Sequence, residues 1–96
     1  MKFLVTYSIH PEKRHQALQA FSRMTPADDL ADVGKNISLI GRWHIVGGGS
    51  GLAIVETTDA QALASWAINW NHIMDLEMKP VIDDEEARAI GKQKFG

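Results

Sequence analysis

The feature that most constrains the fold of this chain is its run of small residues from Gly47 to Gly51, which separates two apolar, β-branched segments. Segments of that kind on both sides of a short glycine loop are typical of a β-hairpin. We therefore predict a strand over residues 37–46, a turn formed by the five small residues, and a second strand over residues 52–57.

The register of this hairpin decides which of its side chains can act together. A five-residue turn sets Val46 opposite Leu52, and a slip of one residue would invert both faces because side chains alternate along a strand. A slip of two residues would pair His44 with Glu56 and leave the faces unchanged. The predicted register places three chemically capable side chains on one face: Arg42, His44 and Glu56. It places an apolar set on the other face: Trp43, Ile45, Ala53 and Val55.

Hydrophobic periodicity and helix-start signals predict the other elements. Alternation at period two indicates a strand, apolar residues spaced three and four apart indicate a helix, and Thr25-Pro26 is a typical helix start. We predict further strands over residues 2–9 and 72–81, and helices over residues 11–24, 26–32, 59–70 and 84–90, with a loose tail over 91–96. At this length they form one domain, residues 1–96.

The order of these elements predicts the fold class. Two split βαβ units give an α+β, ferredoxin-like βαββαβ fold, in which a four-stranded antiparallel sheet carries both long helices on one face. The other face then presents an apolar patch: Leu4, Ile40, Val46, Leu52 and Ile54. A patch of that size is typical of an interaction surface. We expect a two-fold homodimer that packs sheet face against sheet face.

Composition argues against several classes of function. The net charge of −2 leaves no basic stripe for a row of phosphates, so no nucleic-acid partner is expected. No segment approaches the roughly 20 apolar residues of a membrane span, and the first residues do not resemble a cleavable signal. The chain also has no cysteine for a disulfide framework. We therefore expect a cytoplasmic protein without a membrane partner.

Four segments of the chain form a recognisable combination. They are Gly41-Arg42-Trp43-His44, Ile54-Val55-Glu56 after the glycine turn, the helix from Trp66 to Trp70, and Glu77-Met78-Lys79-Pro80-Val81. Together they resemble the family catalogued as domain of unknown function 3303, over nearly the whole chain apart from residues 25–36 and the tail. The resemblance implies a dimeric α+β barrel, in which two ferredoxin-like sheets face each other with the helices outside. It implies no established activity.

The wider superfamily that this resemblance points to includes cofactor-free monooxygenases and haem-degrading oxygenases. The haem-degrading branch has a helical tryptophan followed, about three helical turns later, by a histidine that reaches iron. Trp66 is similar to the first, but His72 lies only six residues further on. We therefore expect no bound cofactor. Transfer of any activity from this list would be analogy at the level of the fold alone.

The polar cluster of the hairpin has a catalytic and a structural interpretation. In the first, Glu56 orients His44 as a general base and Arg42 holds an anionic group of a substrate. In the second, Arg42 and Glu56 form a cross-strand ion pair and His44 is a hydrogen-bonded interface residue. Arg42 could instead reach Asp75 or Glu77 of the partner subunit and contribute to dimer specificity.

Aromatic residues also suggest a pocket between the sheet and the helices. The candidate ligand-binding residues are Tyr7, Trp43, Trp66, Trp70 and Asn69. Aromatic rings offer apolar area with a polar group that orients a ligand, although aromatics at helical spacing usually belong to the core. The four histidines lie in different predicted elements without a ligand-like spacing, so no metal site is expected.

Three functions remain open at this level. The leading one is a small homodimer that binds a compact apolar or aromatic molecule between sheet and helices, without a cofactor. The second is a cofactor-independent enzyme of the monooxygenase or isomerase type with His44 as base. The third is a protein-interaction module that uses the exposed sheet face or an edge strand.

Overall fold

Four strands and four helices make up the computed structural model, which describes residues 1–96. The strands are β1 (Lys2–Ile9), β2 (Ser38–His44), β3 (Ser50–Glu56) and β4 (Met74–Val81). The helices are α1 (Arg14–Ser22), which follows a 3-10 turn over Pro11–Lys13, then α2 (Pro26–Val33), α3 (Ala60–Trp70) and α4 (Asp84–Phe95).

The sheet has the strand order β2-β3-β1-β4, and every pairing in it is antiparallel. β3 therefore lies between β1 and β2, and β1 lies between β3 and β4, so that each half of the chain is a split βαβ unit. This is the ferredoxin-like arrangement. It confirms the α+β fold class that the order of the elements predicts.

The short helix α2 is built from strong local signals. The Thr25 hydroxyl accepts a hydrogen bond from the backbone N–H of Asp28 at 3.2 Å, and the Asp28 carboxylate accepts one from the backbone N–H of Thr25 at 2.8 Å. This reciprocal pair is a capping box, and Pro26 occupies the first helical turn, where its missing N–H costs nothing. Gly34 ends the helix with a positive φ of 84°.

The C-terminal segment differs from the predicted loose tail, because α4 continues through Gly91 to Phe95. The basic residues Lys92 and Lys94 lie in its last turn, where they interact favourably with the helix dipole. At its start, Lys2 lies 3.3 Å from the Asp83 carboxylate and 3.2 Å from that of Glu86. None of its residues is buried, so this helix projects from the domain.

The core lies on the face of the sheet that α1 and α3 cover, which we call the helix face. It is small and consists of a few side chains from the sheet, α3 and the segment around α2: Val5, Val33, Ile37, Ala53, Val55, Leu63 and Trp66. The opposite face of the sheet, which we call the open face, is covered by no helix of the βαβ units. Leu4, Leu52 and Ile54 lie there by register and are half-buried.

The hairpin between β2 and β3 does not have the predicted register. Leu52 pairs with Trp43 rather than with Val46, and the Ile45 N–H donates to the Ser50 carbonyl at 2.9 Å where the hairpin closes. The register shifts again between Leu39 and Gly41, where a bulge adds an unpaired residue.

The difference between the predicted and the observed hairpin register inverts the faces of the β2 residues next to the turn. Arg42 pairs with Ala53 and His44 with Gly51, so both side chains are on the helix face, whereas Trp43 is on the open face. Glu56 remains on the open face, where its carboxylate lies 3.8 Å from Lys2. The predicted grouping of Arg42, His44 and Glu56 on one face is therefore wrong, as is the placement of Trp43 against the helices.

A row of three residues across the sheet accounts for the observed register. Tyr7 of β1 pairs with Gly51 of β3, and Gly51 pairs with His44 of β2. A Cβ atom added to Gly51 would overlap the Tyr7 phenol on one side and the carbonyl oxygen of Trp43 on the other. Only glycine at position 51 lets the tyrosine ring cross the middle strand and reach the histidine.

We expect Gly51→Ala to lower the free energy of unfolding by about 1–3 kcal/mol, because the added methyl group overlaps a neighbouring strand that cannot move away. Gly47→Ala is the matched control, since nothing lies within 4 Å of its added Cβ. We expect the control to change stability by less than about 1 kcal/mol. Urea unfolding of both variants measures the difference, and equal midpoints would contradict the proposed role of Gly51.

Candidate functional site

A cavity of about 670 Å³ separates the sheet from α1 and α3. Most of its lining is apolar and comes from both layers, including Ile9, Leu18, Phe21 and Met78. Its volume falls within the range of about 300–1,000 Å³ typical of small-molecule sites. The glycine turn, Gly47 to Gly49, lines part of the same cavity, next to the start of α1.

The Tyr7–His44 pair is the principal polar feature of this cavity. The Tyr7 hydroxyl is hydrogen-bonded to Nδ1 of His44, and the Phe21 ring of α1 lies 5.1 Å from the His44 ring, centroid to centroid. Burial raises the pKa of the Tyr7 phenol above its usual value, and the nearby positive charge of Arg42 opposes that shift. The phenol is therefore neutral around pH 7 and carries a proton to donate.

Arg42 is held in place by α1 and α2. Its guanidinium carbon lies 4.7 Å from the centroid of the Phe21 ring, and Nη2 donates to the Asp29 carboxylate at 3.0 Å. The predicted ion pair of Arg42 with Glu56 is therefore wrong, since those two side chains lie on opposite faces. Arg42 also faces away from the open face, so the predicted contact with Asp75 or Glu77 of a second copy across that face is not supported.

Asp32 of α2 holds the two tryptophans of α3. Trp66 Nε1 donates to Oδ2 of Asp32 at 2.8 Å, and Trp70 Nε1 donates to Oδ1 at 2.9 Å. Asn69 adds a longer contact, from Nδ2 to Oδ1 at 3.4 Å. Trp66 and Trp70 both line the cavity, so this carboxylate fixes the orientation of its aromatic wall.

The predicted site residues therefore separate into three groups. Tyr7, Arg42, His44, Trp66 and Trp70 surround the cavity. Asn69 lies behind it, against Asp32. Trp43 and Glu56 lie on the open face and take no part in it, which follows from the register of the hairpin.

The two aspartates Asp29 and Asp32 were not singled out from the sequence. The sequence nevertheless contains an indication of their role. The two aspartates are three residues apart and therefore share one side of a short amphipathic helix. That spacing indicates that α2 presents carboxylates to a neighbouring surface. It does not indicate which arginine or tryptophan they meet.

The structure has neither a metal-binding cluster nor a membrane-spanning helix. The structure brings no three residues of the His, Cys, Asp and Glu types together in a way that could hold a metal ion. None of the helices combines the length and the apolar sequence that crossing a membrane requires.

Comparison with known proteins places the chain in a family. The family model described as "Domain of unknown function (DUF3303)" matches residues 1–95. The chain belongs to the DUF3303 family. No curated protein matches this DUF3303 chain. Among solved structures it is similar to an uncharacterized NIPSNAP domain protein from Burkholderia xenovorans, with 13% sequence identity, a TM-score of 0.47, and coverage of 88% of this chain and 97% of the other.

We expect Asp32→Ala to lower the free energy of unfolding by about 2–3 kcal/mol, since two indole N–H groups lose a charged acceptor. Asp75→Ala removes the same charge from an exposed carboxylate that contacts only His10. We expect that control to cost less than about 1 kcal/mol. Urea unfolding followed by tryptophan fluorescence compares them. The role of Asp32 would be rejected if both variants unfolded at the same urea concentration.

Proposed function

We propose that the protein is a small homodimer that binds a compact apolar or aromatic molecule in the cavity between the sheet and the helices. The observation that carries this proposal is the cavity of about 670 Å³ with a mostly apolar lining. A chain of 96 residues has little core to spare, and apolar side chains that face an open space forgo the stabilisation that burial would give them. Retention of such a space is best explained by an occupant.

The walls of the cavity support this proposal. Trp66 and Trp70 offer large flat surfaces, and their indole groups are held by Asp32 rather than free to fill the space. The Tyr7–His44 pair supplies a polar group on the sheet side. A large apolar lining with a few placed polar groups is the usual composition of a ligand site.

Proton transfer by His44 is not included in this proposal. The predicted general base needed Glu56 to orient and stabilise the charged imidazole, and Glu56 lies on the other face of the sheet. The group hydrogen-bonded to His44 is instead the Tyr7 phenol, which carries no negative charge to compensate a positive charge on the imidazole ring. The geometry therefore supports recognition of a ligand more than catalysis.

We expect 1-N-phenylnaphthylamine, a neutral apolar dye, to bind one site per chain with enhanced fluorescence. Ala67→Trp would fill the cavity, because Ala67 lines it, and we expect at least about a tenfold loss of affinity. Ala64→Trp places the same ring on the exposed side of the same helix and is the matched control. Thermal unfolding would check that both variants are folded.

Failure of the dye to bind the original protein would reject ligand binding. Equal affinities of the Ala67 and Ala64 variants would reject the cavity as the place where the dye binds.

The dimer is proposed from the large exposed surface of the chain as a whole, to which the projecting helix α4 also contributes, together with the composition of the open face. The chain exposes 6944 Å² of accessible surface, whereas a folded monomer of this mass exposes about 5,500 Å². The excess of about 1,400 Å² exceeds the roughly 800 Å² per partner of a standard interface. The radius of gyration, 15.4 Å, is likewise larger than the roughly 12.5 Å typical of this length.

The open face has the composition that a self-complementary interface requires. Leu4, Leu52 and Ile54 form its centre, and Trp43 beside them is 57% exposed. Glu77 and Lys79 lie on the same face at the β4 edge, where they form a polar margin. A two-fold axis through the sheet would bury the centre and leave the charged margin at the rim.

We expect light scattering to report a dimer, and Ile54→Lys to convert it to a monomer, because a buried lysine without a partner is costly. Ile68→Lys is the control, since Ile68 is 67% exposed on α3, away from the open face. A monomeric original protein would reject the dimer. A dimer that survives Ile54→Lys would reject the open face as its interface.

A further inference from the structure

We propose that the ligand of the cavity is an apolar or aromatic molecule that carries a carboxylate, and that Arg14 and His44 bind this carboxylate beside the glycine turn. The inference rests on the proposed function and names the chemical class of its ligand. The lack of an ion-pair partner for Arg14, its placement at the glycine turn and the hydrogen bonding of His44 support it.

The charges around the cavity leave Arg14 without a partner. The side chains with a formal charge that line the cavity are Arg14, Arg42 and Asp32. Arg42 is paired with Asp29, and Asp32 accepts hydrogen bonds from two indole groups. Arg14 takes part in none of the ion pairs of the chain. Arg14 is exposed and unpaired, so its guanidinium is free to bind an anionic group of a ligand.

The place of Arg14 is set by the glycine turn. Arg14 is the first residue of α1, and its Nε lies 2.6 Å from the position that a Cβ atom of Gly49 would occupy. Gly49 has a φ of +88°, a conformation that favours glycine. The turn thus provides room for the arginine side chain against its backbone, at the part of the cavity that the turn lines.

His44 supplies a second donor to the same cavity. We assign the Tyr7 phenol as the donor and His44 Nδ1 as the acceptor of this hydrogen bond, because the phenol has one proton and Nδ1 is its only side-chain partner. A neutral imidazole that accepts at Nδ1 carries its own proton on Nε2. The one side-chain hydrogen bond of His44 is made through Nδ1, and the exposed ring lines the cavity, so Nε2–H is available to a ligand.

A carboxylate fits this pair of donors better than the other common polar groups. The planar guanidinium of arginine presents parallel N–H groups that match the two oxygens of a carboxylate, and a charged acceptor strengthens each bond. An ammonium group would be repelled by Arg14, and a hydroxyl group would leave its positive charge uncompensated. The apolar lining then accommodates the remainder of the molecule.

Displacement of bound 1-N-phenylnaphthylamine by decanoate and by 1-decanol tests the inference, because these two competitors differ only in the end group. We expect decanoate to bind the original protein at least about fivefold more tightly than decanol. In Arg14→Gln this ratio should fall to about one, and Arg14→Lys should retain part of it. Arg23→Gln changes the net charge equally on an exposed residue outside the cavity, so it should preserve the ratio.

Each outcome separates this inference from the function on which it rests. Equal displacement by decanoate and decanol, with the dye bound, would overturn the carboxylate site and leave cavity binding intact. A ratio that falls as far in Arg23→Gln as in Arg14→Gln would also overturn it, since the effect would be one of net charge alone. Absence of dye binding would reject both proposals.

Discussion

The close contact of Tyr7 with His44 across Gly51 is the interaction on which the other features of the site depend. It requires three strands to be in one register, because the tyrosine ring passes over the only position in the row that has no side chain. That register turns His44 and Arg42 towards the helices. A side chain at position 51 would separate the phenol from the imidazole and remove the polar group of the cavity.

The helix α2 completes the site from the other side. Asp29 holds Arg42 against Phe21, and Asp32 holds the indole groups of Trp66 and Trp70. Both carboxylates therefore act on residues of other elements, one on the sheet and one on α3. α2 thereby holds the aromatic side chains at the wall of the cavity and pairs one of its two arginines.

The sequence predicted correctly those parts of the structure that depend on local patterns, such as side-chain alternation and the order of the elements. Alternation along β1 and β3 predicted which of their side chains face the core, and the order of the elements predicted the ferredoxin-like fold. The register of the β2–β3 hairpin could not be predicted from the sequence. Five small residues can form turns of several lengths, and the bulge at Ile40 shifts the register a second time. The partners of Asp29 and Asp32 were missed because they depend on tertiary packing.

The same register gives the two faces of the sheet different chemistry. The observed pairing differs from the predicted one by three residues, an odd number, so it sends the basic side chains of β2 into the cavity and sends Trp43 to the open face. The predicted register would have buried a charged arginine and a histidine in a sheet-to-sheet contact, where each would need a partner. In the observed register the open face gains an aromatic ring and loses two basic groups. Recognition of a ligand and association with a second copy can therefore use one sheet without competing for the same residues.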